Sequence, residues 1–178
     1  MPERDPDPFV MYIIVRRSLK LSGGKVGAQC GHAVEYLMDE AANEHWPTKE
    51  EMDLHSKAMK EAFRVEKGAS LMAVLSSSLT DEERSRLHEM DHEARARAER
   101  NAYYRAWKRD AQGERTGTKI VLGASDAEFT QVIEENGKHF PVIDLGYTQV
   151  APNTMTCVGL WPMRKSWASA TVKTLRPL

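Results

Sequence analysis

Lys25, Gln29 and His32 lie in the run LSGGKVGAQCGHA at offsets of 0, 4 and 7, a spacing that puts them on one face of a helix. Lys25 stands behind Gly23 and Gly24, at an expected helix start. Free backbone N–H groups at such a terminus attract an anion, and glycines let a ligand come close to the backbone. A lysine there adds a mobile positive charge, suited to phosphate or to a developing oxyanion. A second run, DLGYTQVAPNTMTCVG, holds Asp144, Thr148 and Thr156. Asp144 ends an apolar stretch and Gly146 follows, so the chain turns sharply with a carboxylate at the rim. An aspartate with two hydroxyls can position a water and accept its proton. Each cluster has an ordinary reading too: a solvated helix-start lysine, or a turn carboxylate beside β-prone threonines. GGK also lacks the spacing of a Walker A loop. The combination is more specific than either part.

The elements that must position these residues follow from apolar periodicity. FVMYIIVR at 9–16 reads as a buried strand, followed by a glycine-rich turn and a helix from about Lys25 toward Ala42. Val26, Cys30, Ala33 and Leu37 mark the apolar face of that helix. The stretch 44–113 is rich in Glu, Lys, Arg and Ala, with one short apolar patch, LMAVL at 71–75, that periodicity alone does not assign. Thr80-x-x-Glu83 forms a capping box that opens a long charged helix to about Lys108. The region therefore reads as a mainly helical insertion, with an αα-hairpin as its simplest form. KIVLG at 119–123 is the next strand, and Ser125-x-x-Glu128 is a second capping box, opening a helix that ends near Gly137. PVID at 141–144 and MTCVGLW at 155–161 are the last strands. This order predicts an α/β fold, a small mixed sheet covered by helices on both faces. Both polar clusters then fall at one sheet edge, where open α/β folds carry their chemistry.

Bulk properties narrow the class. A chain of 178 residues holds one sizeable domain, and 41% apolar with 29% charged residues is the composition of a soluble globular protein. No run of about 18 apolar residues occurs, so no transmembrane helix is expected. MPERDPDPF is acidic and proline-rich, the opposite of a secretory or transit signal, and reads as a disordered lead-in. Cys30 and Cys157 give neither a disulfide framework nor a CxxC spacing, which fits buried thiols in a reducing cytoplasm. A net charge of −1 excludes whole-chain attraction to polyanions, so nucleic-acid binding must rest on local patches. One such patch ends the long helix, where Arg97, Arg100, Tyr104 and Lys108 share a face. It serves equally as an RNA-tracking stripe or as a solvated helix whose aromatics pack on the core. His88-Glu89-Met90-Asp91-His92 matches HExxH, but its flanks are polar and no third ligand has a compelling context, so no metal site is expected.

Gly24-Lys25, Ala28-Gln29, His32-Ala33, Asp144, Gly146, Thr148-Gln149, Thr154 and Thr156 together resemble the peptidyl-tRNA hydrolase type 2 family in motif order and spacing, over residues 9–36 and 117–161. The resemblance implies a three-layer α/β/α fold with a four-stranded mixed sheet. It implies hydrolysis of the ester joining a peptide to the 3′ end of tRNA, in the cytoplasm and with no cofactor. Its active site falls on Lys25, Gln29, His32, Asp144, Thr148 and Thr156. In these expected roles Lys25 stabilises the oxyanion or pairs with Asp144, Asp144 orients or deprotonates the water, and Thr148 and Thr156 hold water or ester. Gln29 and His32 contact substrate or support the site. Dimers occur in that family, so a homodimer is raised too, although the insertion could block or replace that interface. The chain departs from the family pattern at Ser18, where an aspartate is usual, at Tyr147, where an arginine is usual, and in the length of the 44–113 insertion. The tail 163–178 carries four basic residues and no acidic ones beyond the family's usual end, as a tRNA-contacting arm or a disordered extension. A second reading remains, a non-catalytic relative that binds tRNA or protein through the insertion.

Overall fold

The computed structural model describes residues 5–43, 80–109, 117–147 and 149–178. Strand β1 (Phe9–Arg16) is buried along nearly its whole length, as expected of an apolar, β-branched run covered on both faces. Its side chains alternate. Met11, Ile13 and Val15 join a cluster with Ala33, Leu37, Val142 and Cys157. Val10, Tyr12 and Ile14 join another with Phe129, Val132, Val158 and Val172.

β1 pairs in parallel with β2 (Thr118–Ala124), and antiparallel with β4 (Thr154–Leu160) on its other side. Strand β3 (His139–Asp144) pairs antiparallel with β4 at the sheet edge. The mixed sheet has six strands, in the order β3-β4-β1-β2-β6, with β5 also on β1. This corrects the expected four. Both additional strands, β5 (Met163–Arg164) and β6 (Arg176–Pro177), come from the tail, pairing with Phe9–Val10 and Leu122–Gly123. The tail is thus folded rather than a disordered extension. Asp7 helps to hold it, accepting from the backbone N–H and the hydroxyl of Ser166 at 2.8 and 2.7 Å.

Among the described residues the longer helices are α1 (Gly23–Asn43), α2 (Asp81–Arg109) and α3 (Asp126–Glu135), followed by the short α4 (Ala170–Thr174). The capping box of α3 forms as expected: Ser125 Oγ accepts from the Glu128 backbone and Glu128 Oε2 accepts from the Ser125 N–H at 2.8 Å. None of the described helices is long and apolar enough to cross a membrane.

Two compact units divide the chain, Met1–Ala42 with Arg100–Leu178, and Asn43–Glu99. The division falls inside α2, whose last ten residues, Arg100–Arg109, belong to the first unit. In the second unit the described part is Asn43, Thr80 and the charged run of α2 from Asp81 to Glu99. The expected hairpin partner and the LMAVL patch lie outside the described residues, as does the side chain of Glu83.

Removing residues 163–178 takes Ala168, Val172 and Leu175 out of the core. Burying Val172 and Leu175 contributes about 1.5–3 kcal/mol each, and the methyl of Ala168 less. Truncation after Pro162 is therefore expected to lower the melting temperature by about 10 °C or more. An unchanged thermal melt would mean that the tail does not stabilise the sheet.

Candidate active site

The site is built where β3 ends. Gly146 adopts φ +83°, and a Cβ there would lie 2.6 Å from both Pro152 N and Cγ, so the turn requires glycine. Its N–H donates to Asp144 Oδ1 at 2.7 Å. The Asn153 N–H donates to the Asp144 carbonyl at 2.8 Å and closes the loop back to β4. The other side of the site is the start of α1. Ser22 caps it, its carbonyl accepting from Val26 N at 2.9 Å, and the Ser22 N–H donates to Gln149 Oε1 at 3.1 Å. Gln149 thereby ties the two loops together.

Sheet register supplies the third component. Val142 pairs with Cys157 and Ile143 with Met155, which leaves Thr156 as the extra residue of a β-bulge. Along regular β4, Cys157 faces α1 and Val158 faces away, so Thr156 should also face away. The bulge turns it toward α1 instead.

These elements bring Lys25, Gln29, Asp144 and Thr156 into one network. Asp144 Oδ2 receives the Lys25 ammonium and, at 2.8 Å, the Gln29 side-chain amide. A carboxylate only accepts, so the Gln29 nitrogen must face it and the Gln29 oxygen must face the other way. There Gln29 Oε1 accepts from Thr156 Oγ1 at 2.9 Å, and the same hydroxyl lies 3.2 Å from the Val142 carbonyl. The Cys157 thiol donates to the Gln29 backbone carbonyl at 3.6 Å. Gln29, Asp144 and Thr156 are buried, while the Lys25 side chain keeps 17% of its surface exposed.

Electrostatics follow from these contacts. The Lys25 hydrogen bond holds the Asp144 carboxyl below its ordinary value of 3.8, helped by the Gly146 N–H, the Lys25 charge and the Gln29 amide, against the effect of burial. Asp144 is therefore ionised at neutral pH. Burial pushes the Cys157 thiol up to about 12 and raises Cys30 as well, so neither is a ready thiolate.

The other expected residues are placed differently. His32 is exposed, 3.3 Å from Glu35 and stacked near Tyr36 at a centroid distance of 6.5 Å, and takes no part in the Asp144 network. Thr148 lies outside the described residues. Arg97 belongs to the second unit. In the first, the Arg100 carbonyl accepts from Trp161 Nε1 at 2.8 Å. Tyr104 packs against the core, with its ring 5.9 Å from that of Trp107 and the Lys108 ammonium 5.4 Å over its face. Trp107 is buried and donates to the Thr118 carbonyl at 2.7 Å. These aromatics are packed, not presented. His88 and His92 are exposed on α2, and no group of three or more His, Cys, Asp or Glu side chains converges among the described residues.

This α/β chain thus gathers a lysine, a glutamine, an aspartate and a threonine into one hydrogen-bonded network at one sheet edge. The family model for peptidyl-tRNA hydrolase PTH2 matches residues 9–87 and 85–178, and the chain belongs to that family. No curated protein matches it.

The lowered Asp144 value carries a stability consequence. The unfolded carboxyl binds a proton more tightly than the folded one, so Asp144 contributes stability that is fully present above its unfolded value of 3.8 and is lost as pH falls through the lower folded value. Urea unfolding of the Asp144→Asn variant between about pH 5 and pH 2 is expected to lose stability less steeply than wild type. Parallel slopes would contradict the lowered value.

Proposed function

We propose that the protein hydrolyses the ester between a peptide and the 3′-terminal ribose of tRNA, releasing free tRNA and free peptide. The observation that carries this reading is the Lys25–Asp144 pair, with Asp144 buried and Lys25 partly exposed, at the sheet edge of a chain that belongs to the peptidyl-tRNA hydrolase PTH2 family. Alternation of β1 between two clusters that each include helical residues favours the three-layer arrangement implied by the resemblance.

Chemically, water adds to the ester carbonyl carbon and negative charge builds on the carbonyl oxygen. The Lys25 ammonium, the more exposed partner, is the donor for that oxygen. Asp144 is a weak base because its partners stabilise the anion, so its main work is to orient the water and to balance Lys25. The carbon–oxygen bond to the ribose then breaks, and the proton released by the water passes to the 3′ oxygen. Thr148 is proposed to hold the water or the ester. Arg97, Arg100 and Lys108 are proposed as tRNA phosphate contacts, without base stacking by Tyr104. Two free cysteines fit a cytoplasmic setting.

Purified protein is expected to cleave an N-blocked aminoacyl-tRNA. Lys25→Ala and Asp144→Asn are each expected to lower kcat about 10²–10³-fold, the scale of losing a preorganised charge-stabilising group. Wild-type turnover by both variants would discard the assignment. An inert wild-type protein that still bound tRNA would point to the non-catalytic relative.

A further inference from the structure

Thr156 and Gln29 carry hydrogen-bonding chemistry, yet neither is positioned to meet a substrate. Thr156 is completely buried and Gln29 is 4% exposed. The Thr156 hydroxyl meets groups of the protein interior, Gln29 Oε1 and the Val142 carbonyl. The Gln29 amide is spent in the same way, with its nitrogen on Asp144 Oδ2 and its oxygen on Thr156. Charge at this point comes from Lys25 on α1, and the Cys157 thiol on β4 faces the Gln29 backbone.

We infer that Thr156 is a positioning residue that acts on Asp144 through Gln29, with the β-bulge as the device that aims it. A free glutamine amide can rotate by half a turn and present its oxygen to the carboxylate, where it would repel rather than donate. The carboxylate selects the Gln29 nitrogen, and the Thr156 hydroxyl reinforces that choice by giving its one proton to Gln29 Oε1 at 2.9 Å, nearer than the Val142 carbonyl at 3.2 Å. Gln29 Nε2 then shares Oδ2 with Lys25, and Oδ1 is fixed by the Gly146 N–H. Both carboxylate oxygens are thereby held by hydrogen-bond donors from the protein. Without the bulge, Thr156 would project to the opposite face of the sheet, and β4 would offer no hydroxyl at this position.

This inference rests on the ester-hydrolysis reading for its kinetic consequences, but its structural core can be tested without turnover. Thr156→Val keeps the shape and removes the hydroxyl, Gln29→Met keeps the length and removes the amide, and Thr156→Ser restores the donor. Site-resolved carbon NMR titration of the Asp144 carboxyl should give an upward displacement in Thr156→Val and in Gln29→Met, with Thr156→Ser close to wild type. In turnover of N-blocked aminoacyl-tRNA, Thr156→Val and Gln29→Met should each lower kcat by about tenfold with KM little changed, the scale of one charge-assisted hydrogen bond. The double variant should be no slower than the slower single one, because both remove the same link. An unmoved Asp144 titration in Thr156→Val would overturn the inference, as would kinetic losses that multiply in the double variant. If valine at 156 prevents folding, Thr156→Ala, which also lacks the hydroxyl, is titrated in its place, and an unmoved Asp144 there overturns the inference in the same way. If the wild-type protein cleaves no ester, the proposed function falls while the titrations still decide the Thr156–Gln29 link.

Discussion

A buried carboxylate must be compensated on every side from which water has been removed, and Asp144 imposes that demand on the whole first unit. Its compensation is assembled from parts distant in sequence: an ammonium and an amide from α1, a backbone N–H from the glycine turn after β3, and a hydroxyl from β4 that secures the amide. Each part fixes an element. Lys25 and Gln29 set the rotation of α1 over the sheet, Gly146 sets the turn, and Thr156 sets the bulge between β3 and β4. The polar network is thus also the register mark of the fold, since a one-residue slip in β4 would leave Gln29 Oε1 without its donor.

The same compensation governs the chemistry. Partners that hold the carboxylate ionised also weaken it as a base, so strong proton abstraction is the wrong role for it. What remains useful is a fixed negative charge beside a partly exposed ammonium. One side of the network is dry and made of groups whose hydrogen bonds are already spent. The other opens toward solvent at Lys25, beside the exposed turn that carries Leu145 and Tyr147. The proposed ester substrate approaches from that second side. The division between a locked interior and an accessible rim is what preorganisation requires, because the groups facing the reaction need not reorganise when charge develops.

Much of this was legible in the chain, and the exceptions have physical causes. Strands of six to eight residues announced themselves through apolar runs, but β5 and β6 have two residues each, too short for any period to register. Basic composition suggested an arm at the tail. Composition counts charges and ignores spacing, and Ala168, Val172 and Leu175 fall where the sheet needs cover. On α1 apolar periodicity runs through Val26, Cys30, Ala33 and Leu37. The fully buried line is Gln29, Ala33, Leu37 and Ala41, at an interval of four. No local pattern marks Gln29 as a core residue, because its partners, Asp144 and Thr156, lie 115 and 127 residues away. The bulge at Thr156 left no mark at all, since nothing in MTCVG breaks the alternation.

Topology explains how such a centre can coexist with a long insertion. β1 and β2 run in parallel, and β4 opposes both β1 and β3. The carboxyl end of β3 and the amino end of β4 therefore share an edge with the carboxyl end of β1, from which the chain enters α1. Lys25 meets Asp144 there because that edge is where α1 begins. The chain leaves the first unit after Ala42, at the opposite end of α1, about 25 Å along the helix from Lys25. It returns at Arg100, whose carbonyl is bonded by Trp161 just beyond the far end of β4. Both junctions sit away from the polar edge. Loop-closure cost grows only slowly with length, so a long segment spliced between Ala42 and Arg100 adds little to the entropic cost of closing the first unit.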